Sequence, residues 1–308
     1  MKTLAFLPPD CCPTSPTPGV QCRRSAPRRA FSLIEILVAV VLLAVIMIGL
    51  VAMFGQTQQA FRAGLTQTDV LESGRSLTDL LGRELQEARP SQAVGVINFF
   101  ADTNSPLAPL VQTLPGDTTN PQTRVNVLQD LFFLTLNNRQ WQGIGYHVDA
   151  PDGLLGTLYR WTTNPAPHDV ISAHPNFAND VADFTNRLSK FRRMADGIVH
   201  FRFRAYDTQG VWLTTNAPGW TTLGGGLGTN IFLGFRPQAF EMGYDFRMGA
   251  IPACVDLEIG VLEPRILARA KSIPDALARR NYLAQHVGAV HLFRQRIPLP
   301  NVDPTAYP

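Results

Sequence analysis

Residues 36–54 of this chain, ILVAVVLLAVIMIGLVAMF, form a run of 19 without a charge. At 1.5 Å per residue a helix of that length spans about 28 Å, close to the ~30 Å hydrocarbon core of a bilayer. A helix packed into a soluble core keeps a polar face, and this run has none, so it predicts a membrane span. Arg28 and Arg29 stand just before it. A basic flank stays on the cytoplasmic side, so the chain beyond the span is expected outside. Glu35 sits at the front of the run. A carboxylate at the bilayer centre costs about 2.5–3.5 kcal/mol on insertion scales, so this one needs a specific partner.

Charge and cysteine separate the first 30 residues from the rest. Of the 27 basic and 24 acidic residues in the chain, Lys2, Arg23, Arg24, Arg28, Arg29 and Asp10 lie in this leader. Residues 31–308 therefore carry 22 − 23 = −1. No basic arm remains, and no nucleic-acid partner is expected. Cys11, Cys12 and Cys22 are in the leader, leaving Cys254 alone beyond it. The exported part must be stable without an internal disulfide. The leader trio has no nearby His and no paired CxxC, so no zinc site is expected there.

Three leaders begin with such a pattern. A secretory signal is removed with its apolar segment at a small-x-small site, but residues 55–70 hold no A-x-A and Glu35 interrupts the apolar region. A twin-arginine signal, suggested by Arg28-Arg29-Ala30-Phe31, meets the same two objections. The third is cut on the cytoplasmic side, before the run, and keeps the helix. Ala30-Phe31-Ser32-Leu33-Ile34-Glu35 and the apolar stretch after it resemble the class III signal of type IV pilins and type II secretion pseudopilins. The resemblance implies cleavage by prepilin peptidase between Ala30 and Phe31 and N-methylation of Phe31. It also matches Glu35 to the family's glutamate. Ala30 stands where the family usually has Gly. A cationic amine on Phe31 of a neighbouring subunit would pair with Glu35 and offset much of its burial cost, so the acid would favour assembly in register.

No proline falls between Phe31 and Pro90, so one long helix is expected, weakest near Gly55 and Gly64 and ended at Pro90. Leu77, Leu81, Leu85 and Ala88 make an apolar helical face, and Arg75, Asp79, Arg83 and Glu87 a charged one. After residue 90 the pattern becomes short strands: 131–136, 141–149, 156–162, 197–207, a turn into VWLTT, and 253–262 with Cys254 among the core candidates. A helix near 274–286 and a last strand, GAVHLFRQRIPL, close the chain, while 101–123 and 163–180 read as loops. The expected fold is α+β: leader 1–30, membrane and assembly helix 31–54, its continuation 55–90, and a β-rich extracytoplasmic domain 91–308. The element order, with GIVHFRFRAYDTQGVW and IPACVDLEIGVL, resembles J-type minor pseudopilins and W-type minor pilins, and also the Verru_Chthon cassette protein C family. The segment 210–237 reads as an insertion against that pattern.

Little points to chemistry. His168, Asp169, His174, Asp180 and Asp183 could hold a cation, though such loops are usually just solvated. Asp149 and Asp152 flank a turn. LGGGLGTN (223–230) lacks the GK[ST] of a phosphate loop, and no G-x-S-x-G, S-x-x-K or HExxH occurs. Trp141, Trp161, Trp212 and Trp220 are expected in the sheet core. No catalytic residue, metal or cofactor is expected. The preferred reading is a minor pseudopilin-like structural subunit of the cytoplasmic membrane. Its partners would be prepilin peptidase, other pseudopilins or minor pilins, the inner-membrane assembly platform and membrane lipid. The alternative is an extracytoplasmic binding module or enzyme using the helix only as an anchor.

Overall fold

The computed structural model describes residues 32–103, 109–114, 122–163, 170–214, 230–237 and 241–307. The chain divides into two units, Met1–Gln59 and Ala60–Pro308. Helix α1 (Leu33–Gln86) contributes to both. In the first unit every described residue is exposed, as an apolar helix without a soluble partner must be. The stretch Leu33–Phe61 is long and apolar enough to cross a membrane, with a mean hydropathy of 3.2.

The second unit joins Ala60–Gln86 of α1 to a β domain. Its elements are β1 (Ile97–Thr103), β2 (Leu110–Thr113), β3 (Thr123–Asn126), β4 (Gln129–Asn137), β5 (Gln140–Asp149), β6 (Gly156–Thr163), α2 (Ala173–Ala182), α3 (Phe184–Arg187) and β7 (Phe191–Tyr206). They continue with β8 (Ile231–Arg236), β9 (Glu241–Arg247), β10 (Cys254–Leu262), α4 (Pro264–Lys271), α5 (Ala276–Gln285) and β11 (Val290–Pro298). Nine strands form one antiparallel sheet in the order β11-β10-β7-β6-β5-β4-β1-β9-β8, and β2 pairs with β3 apart from it. The fold is α+β, as the sequence implied.

The helix face expected from periodicity is the one that packs. Leu77, Leu81, Leu85 and Ala88 are buried in the main core with Phe99, Phe133, Phe201, Phe203 and Ile259, while Arg75, Asp79, Arg83 and Glu87 stay exposed. Each fully buried leucine is worth about 1.5–3 kcal/mol, so this face holds helix to sheet. Gly74 permits the closest approach, because a Cβ there would stand 2.1 Å from the ring of Phe293 on β11. Glu84 adds a polar anchor: it accepts from the Tyr146 hydroxyl on β5 and pairs with Arg160 on β6, whose Nη2 lies 2.9 Å away. Burial and the Glu84 charge push the Tyr146 hydroxyl far above its ordinary range, so it stays a donor. The helix stops at Gln86 rather than at Pro90, because the Arg89 N–H donates to the Leu134 carbonyl at 2.8 Å and Ala88 bridges Thr135.

The outer face of the sheet is covered in two places. Under α2, Phe132, Leu134, Trp161 and Phe177 form one cluster. Under α4 and α5, Leu110, Val199, Leu262, Ala270 and Leu283 form another. The sheet also folds back on itself. Gln129 at the start of β4 accepts from the Phe203 N–H of β7 at 2.6 Å and donates to the Met242 carbonyl of β9 at 3.0 Å.

Several expectations are corrected. Residues 101–123 are not all loop, since they hold the end of β1 and the β2 strand, and 163–180 contains most of α2. Polar positions hid these elements, because polar side chains can be buried when bonded: Gln112 of β2 donates to the Leu283 carbonyl at 2.8 Å, and Asp180 of α2 accepts from Trp161 Nε1 at 2.9 Å. Strand β7 starts at Phe191, six residues before the predicted start, where register shifts against β6 and a positive φ at Gly197 break the alternation. The described part of VWLTT, residues 211–214, forms no strand, and within it only Trp212 makes a bridge, to Tyr206. The segment taken as an insertion supplies β8, an edge strand. Helix α5 falls where a helix was expected, but α4 before it was not foreseen. Among the tryptophans, Trp161 is buried, Trp141 and Trp212 are half-buried, and Trp220 lies outside the described residues. Cys254 is half-buried on the outer face, not in the core, and Arg296 Nε donates to its sulfur at 3.4 Å.

Candidate functional site: the capped apolar helix

The described chain starts at Ser32, which caps α1. The Glu35 N–H donates to Ser32 Oγ at 3.3 Å and to the Ser32 carbonyl at 3.0 Å. Ser-x-x-Glu is the capping-box spacing, in which a hydroxyl satisfies one of the helix's free N–H groups. An acid in the first turn also suits the positive end of the helix dipole. The cap fixes where the helix begins, and so where Glu35 projects. Glu35 opens a shallow apolar groove continued by Ile36, Ala39, Val40 and Leu43. Glu35 is the one acid or base in the described part of the apolar stretch before residue 61. Arg28, Arg29, Ala30 and Phe31 lie outside the described residues.

The proposed cation ligands have other work where they are described. The His174 ring packs edge-on against Phe100 and Phe132, at 4.6 and 5.2 Å between centroids. Burial pulls its pKa down to about 4 against weak attraction from Asp245, so it is neutral near pH 7. Asp180 accepts from Trp161 Nε1 at 2.9 Å and from Lys190 at 2.8 Å, fastening α2 to the sheet. Asp183 accepts from Asn186. His168 and Asp169 lie outside the described residues, as does all but the last residue of 223–230. Asp152 accepts from the Leu154 N–H at 3.0 Å and pairs with Arg279. Among the described residues no three His, Cys, Asp or Glu side chains converge as a metal site.

A charged constellation on the outer face escaped the sequence reading. Register places Arg204, Asp256 and Arg296 in one row across β7, β10 and β11, and Arg202, Glu258 and Arg294 in the next. The alternation of β7 was legible, but which residues face each other depends on a pairing that no single strand specifies. Burial would raise the Glu258 pKa, yet the His200 hydrogen bond and the Arg202 and Arg294 charges outweigh it and bring it to about 2. The Val127 N–H donates to His200 Nδ1 at 3.0 Å, which leaves the ring proton on Nε2, facing Glu258.

Residues 26–51 match the family model described as the Prokaryotic N-terminal methylation motif. The N-terminus is of the pilin-like type. The motif ends inside the exposed half of α1 and contains Ala30, Phe31, Ser32 and Glu35. An apolar helix followed by a large antiparallel β domain is consistent with a type IV pilin-like or pseudopilin-like protein processed by prepilin peptidase. No curated protein matches the chain, and no solved structure does.

Proposed function

We propose that this pilin-like chain is a minor pseudopilin-like structural subunit and not an enzyme. Prepilin peptidase removes the leader between Ala30 and Phe31 and methylates the Phe31 amine. The mature subunit stays in the cytoplasmic membrane, with its β domain on the extracytoplasmic side. It then joins other pilin-like subunits, through the assembly platform, in a type II secretion or type IV pilus-like filament or its tip.

The observation that carries this reading is the coincidence of the methylation motif with a capped helix whose apolar stretch has a single charge, Glu35, at the mouth of an apolar groove. Small residues such as Ala39 let helices approach closely in a bilayer, where packing and polar pairing drive association. A Glu35 carboxylate paired with the Phe31 ammonium of a neighbour satisfies both charges, and an unassembled subunit bears the unpaired cost. Mass spectrometry of the mature protein tests the reading. The expected N-terminus is N-methylated Phe31, and an intact leader or a start beyond residue 54 would refute it.

A further inference from the structure

The charge of residues 31–308 is unevenly placed. Residues 263–281 hold Arg265, Arg269, Lys271, Arg279 and Arg280 against Glu263 and Asp275, a net +3, so the remainder carries −1 − 3 = −4. This stretch is the α4–α5 hairpin. Its inner side is held by Ile266, Leu267, Ala270 and Leu283 against the sheet. Its outer side exposes Arg265, Arg269, Lys271 and, 66% exposed, Leu277. The acids there are occupied: Asp275 caps α5 at the Ala278 N–H, Glu263 meets His291 at 3.1 Å, and Asp196 of β7, 3.8 Å from Lys271, already accepts from Thr157 and Arg193. Exposed Arg265 and Arg269, a Lys271 shared with Asp196, and an exposed leucine on the next helix give the hairpin a basic amphipathic character.

The hairpin's place in its unit suggests what covers it. Phe293 of β11 lies on Gly74 of α1 and Gln295 lies nearest Gly82, so β11 and α1 run in the same sense. The hairpin immediately precedes β11, so it lies toward the earlier turns of this part of α1, the turns that begin at Ala60. Phe61, the last residue of the apolar stretch, is 13 residues before Gly74, about 20 Å of helix. Basic groups within reach of a bilayer surface attract anionic headgroups, and an exposed leucine among them can enter the headgroup layer.

We propose that the α4–α5 surface docks on anionic phospholipid of the membrane in which the apolar helix is anchored. Arg265, Arg269 and Lys271 pair with phosphates, and Leu277 inserts between headgroups. The contact would hold the β domain against the membrane before assembly and be released when the subunit is extracted. This rests on the membrane-anchored reading of the preceding subsection.

The test uses the full mature chain in nanodiscs of phosphatidylcholine, with or without phosphatidylglycerol, and amide hydrogen exchange over 264–281. The expected result is exchange about fivefold slower with phosphatidylglycerol, reversed by high salt. The triple variant R265S/R269S/K271S should lose that difference while β7 and β10 exchange as before. Equal exchange in both discs overturns the docking proposal and leaves the anchor reading standing. Protection that needs a second subunit but not anionic lipid also overturns it, because the surface is then a subunit interface. Failure of the chain to enter either disc overturns the anchor reading, and the proposal with it.

Discussion

Glu241 at the start of β9 pairs with Arg202 and Arg204 on β7, at 3.3 and 3.5 Å, although four strands separate β9 from β7 in the sheet. The Glu241 side chain is 1% exposed. The pairs therefore close a sheet that has curled until distant strands meet, and Gln129 supplies the neutral half of the same joint. Removing one partner of a buried pair leaves the other charge uncompensated, which costs about 3–5 kcal/mol. Glu241→Ala should lower the stability of the β domain by that order in chemical denaturation. Arg187→Ala, whose half-exposed side chain lies near Asp183 and 3.6 Å from an Asp180 still held by Trp161 and Lys190, should change it by less than about 1 kcal/mol. Equal effects would show that Glu241 does not hold the curl.

Glu84 should control how firmly α1 is held to the sheet. It is the carboxylate to which both Tyr146 and Arg160 are bound. Glu84→Ala leaves a buried hydroxyl and a guanidinium without their acceptor, each at about 1–3 kcal/mol or more. The amides of 70–86 should exchange faster while those of β10 and β11 change little. Glu84→Gln retains an acceptor and should recover part of the protection. Unchanged exchange in the Ala variant would mean that the leucine face alone secures the helix.

The β domain should lose stability on acidification in two steps with identifiable causes. His174 has its pKa lowered to about 4 by burial, so the folded state resists its proton while the unfolded chain takes it near 6.5. Its contribution is full above pH 6.5 and is lost as pH falls toward 4, by about 3 kcal/mol in all. Glu258, held at about 2, contributes stability above its ordinary 4.5 that is lost between 4.5 and 2. Replacing His174 by Phe, between Phe100 and Phe132, should weaken the pH dependence from 6.5 to 4, leaving the share of His200, whose pKa burial also lowers, and the lower step. Thermal melts across pH 2–8 would measure both.

What the sequence disclosed follows from which interactions are local. The apolar run, the Arg flank, the Ala30-to-Glu35 signal and the Leu77–Leu81–Leu85 periodicity lie within a few residues, and each was visible or matched a known pattern. So were core strands such as β4, a short apolar run, and β10, with its alternation. The Arg202–Glu258–Arg294 row, the Gln129 joint and the Glu241 closure were not, since they join residues 36 to 113 positions apart. Helix α2 was hidden by polar positions such as Asp180, which is satisfied inside by Trp161, and β8 because its segment reads as an insertion. The capping role of Ser32 was within reach, because Ser-x-x-Glu before an apolar run is itself a signal.

Substitution of Glu35 should separate anchoring from assembly. Its carboxylate is exposed at the end of the Ile36–Ala39–Val40–Leu43 groove, and its N–H is capped by Ser32. Glu35→Ala removes a costly group from an otherwise apolar segment, so insertion should be preserved or improved. Co-assembly should suffer, because the neighbour's Phe31 ammonium would have no counter-charge. Site-specific cross-linking between subunits, with membrane fractionation as control, should show a protein that inserts normally and cross-links weakly. Ser32→Ala gives the comparison: it removes a cap worth about 0.5–2 kcal/mol but keeps the carboxylate. It should fray the first turn and weaken cross-linking less than Glu35→Ala. If Glu35→Ala cross-links as well as the unaltered chain, the carboxylate is not what sets the register.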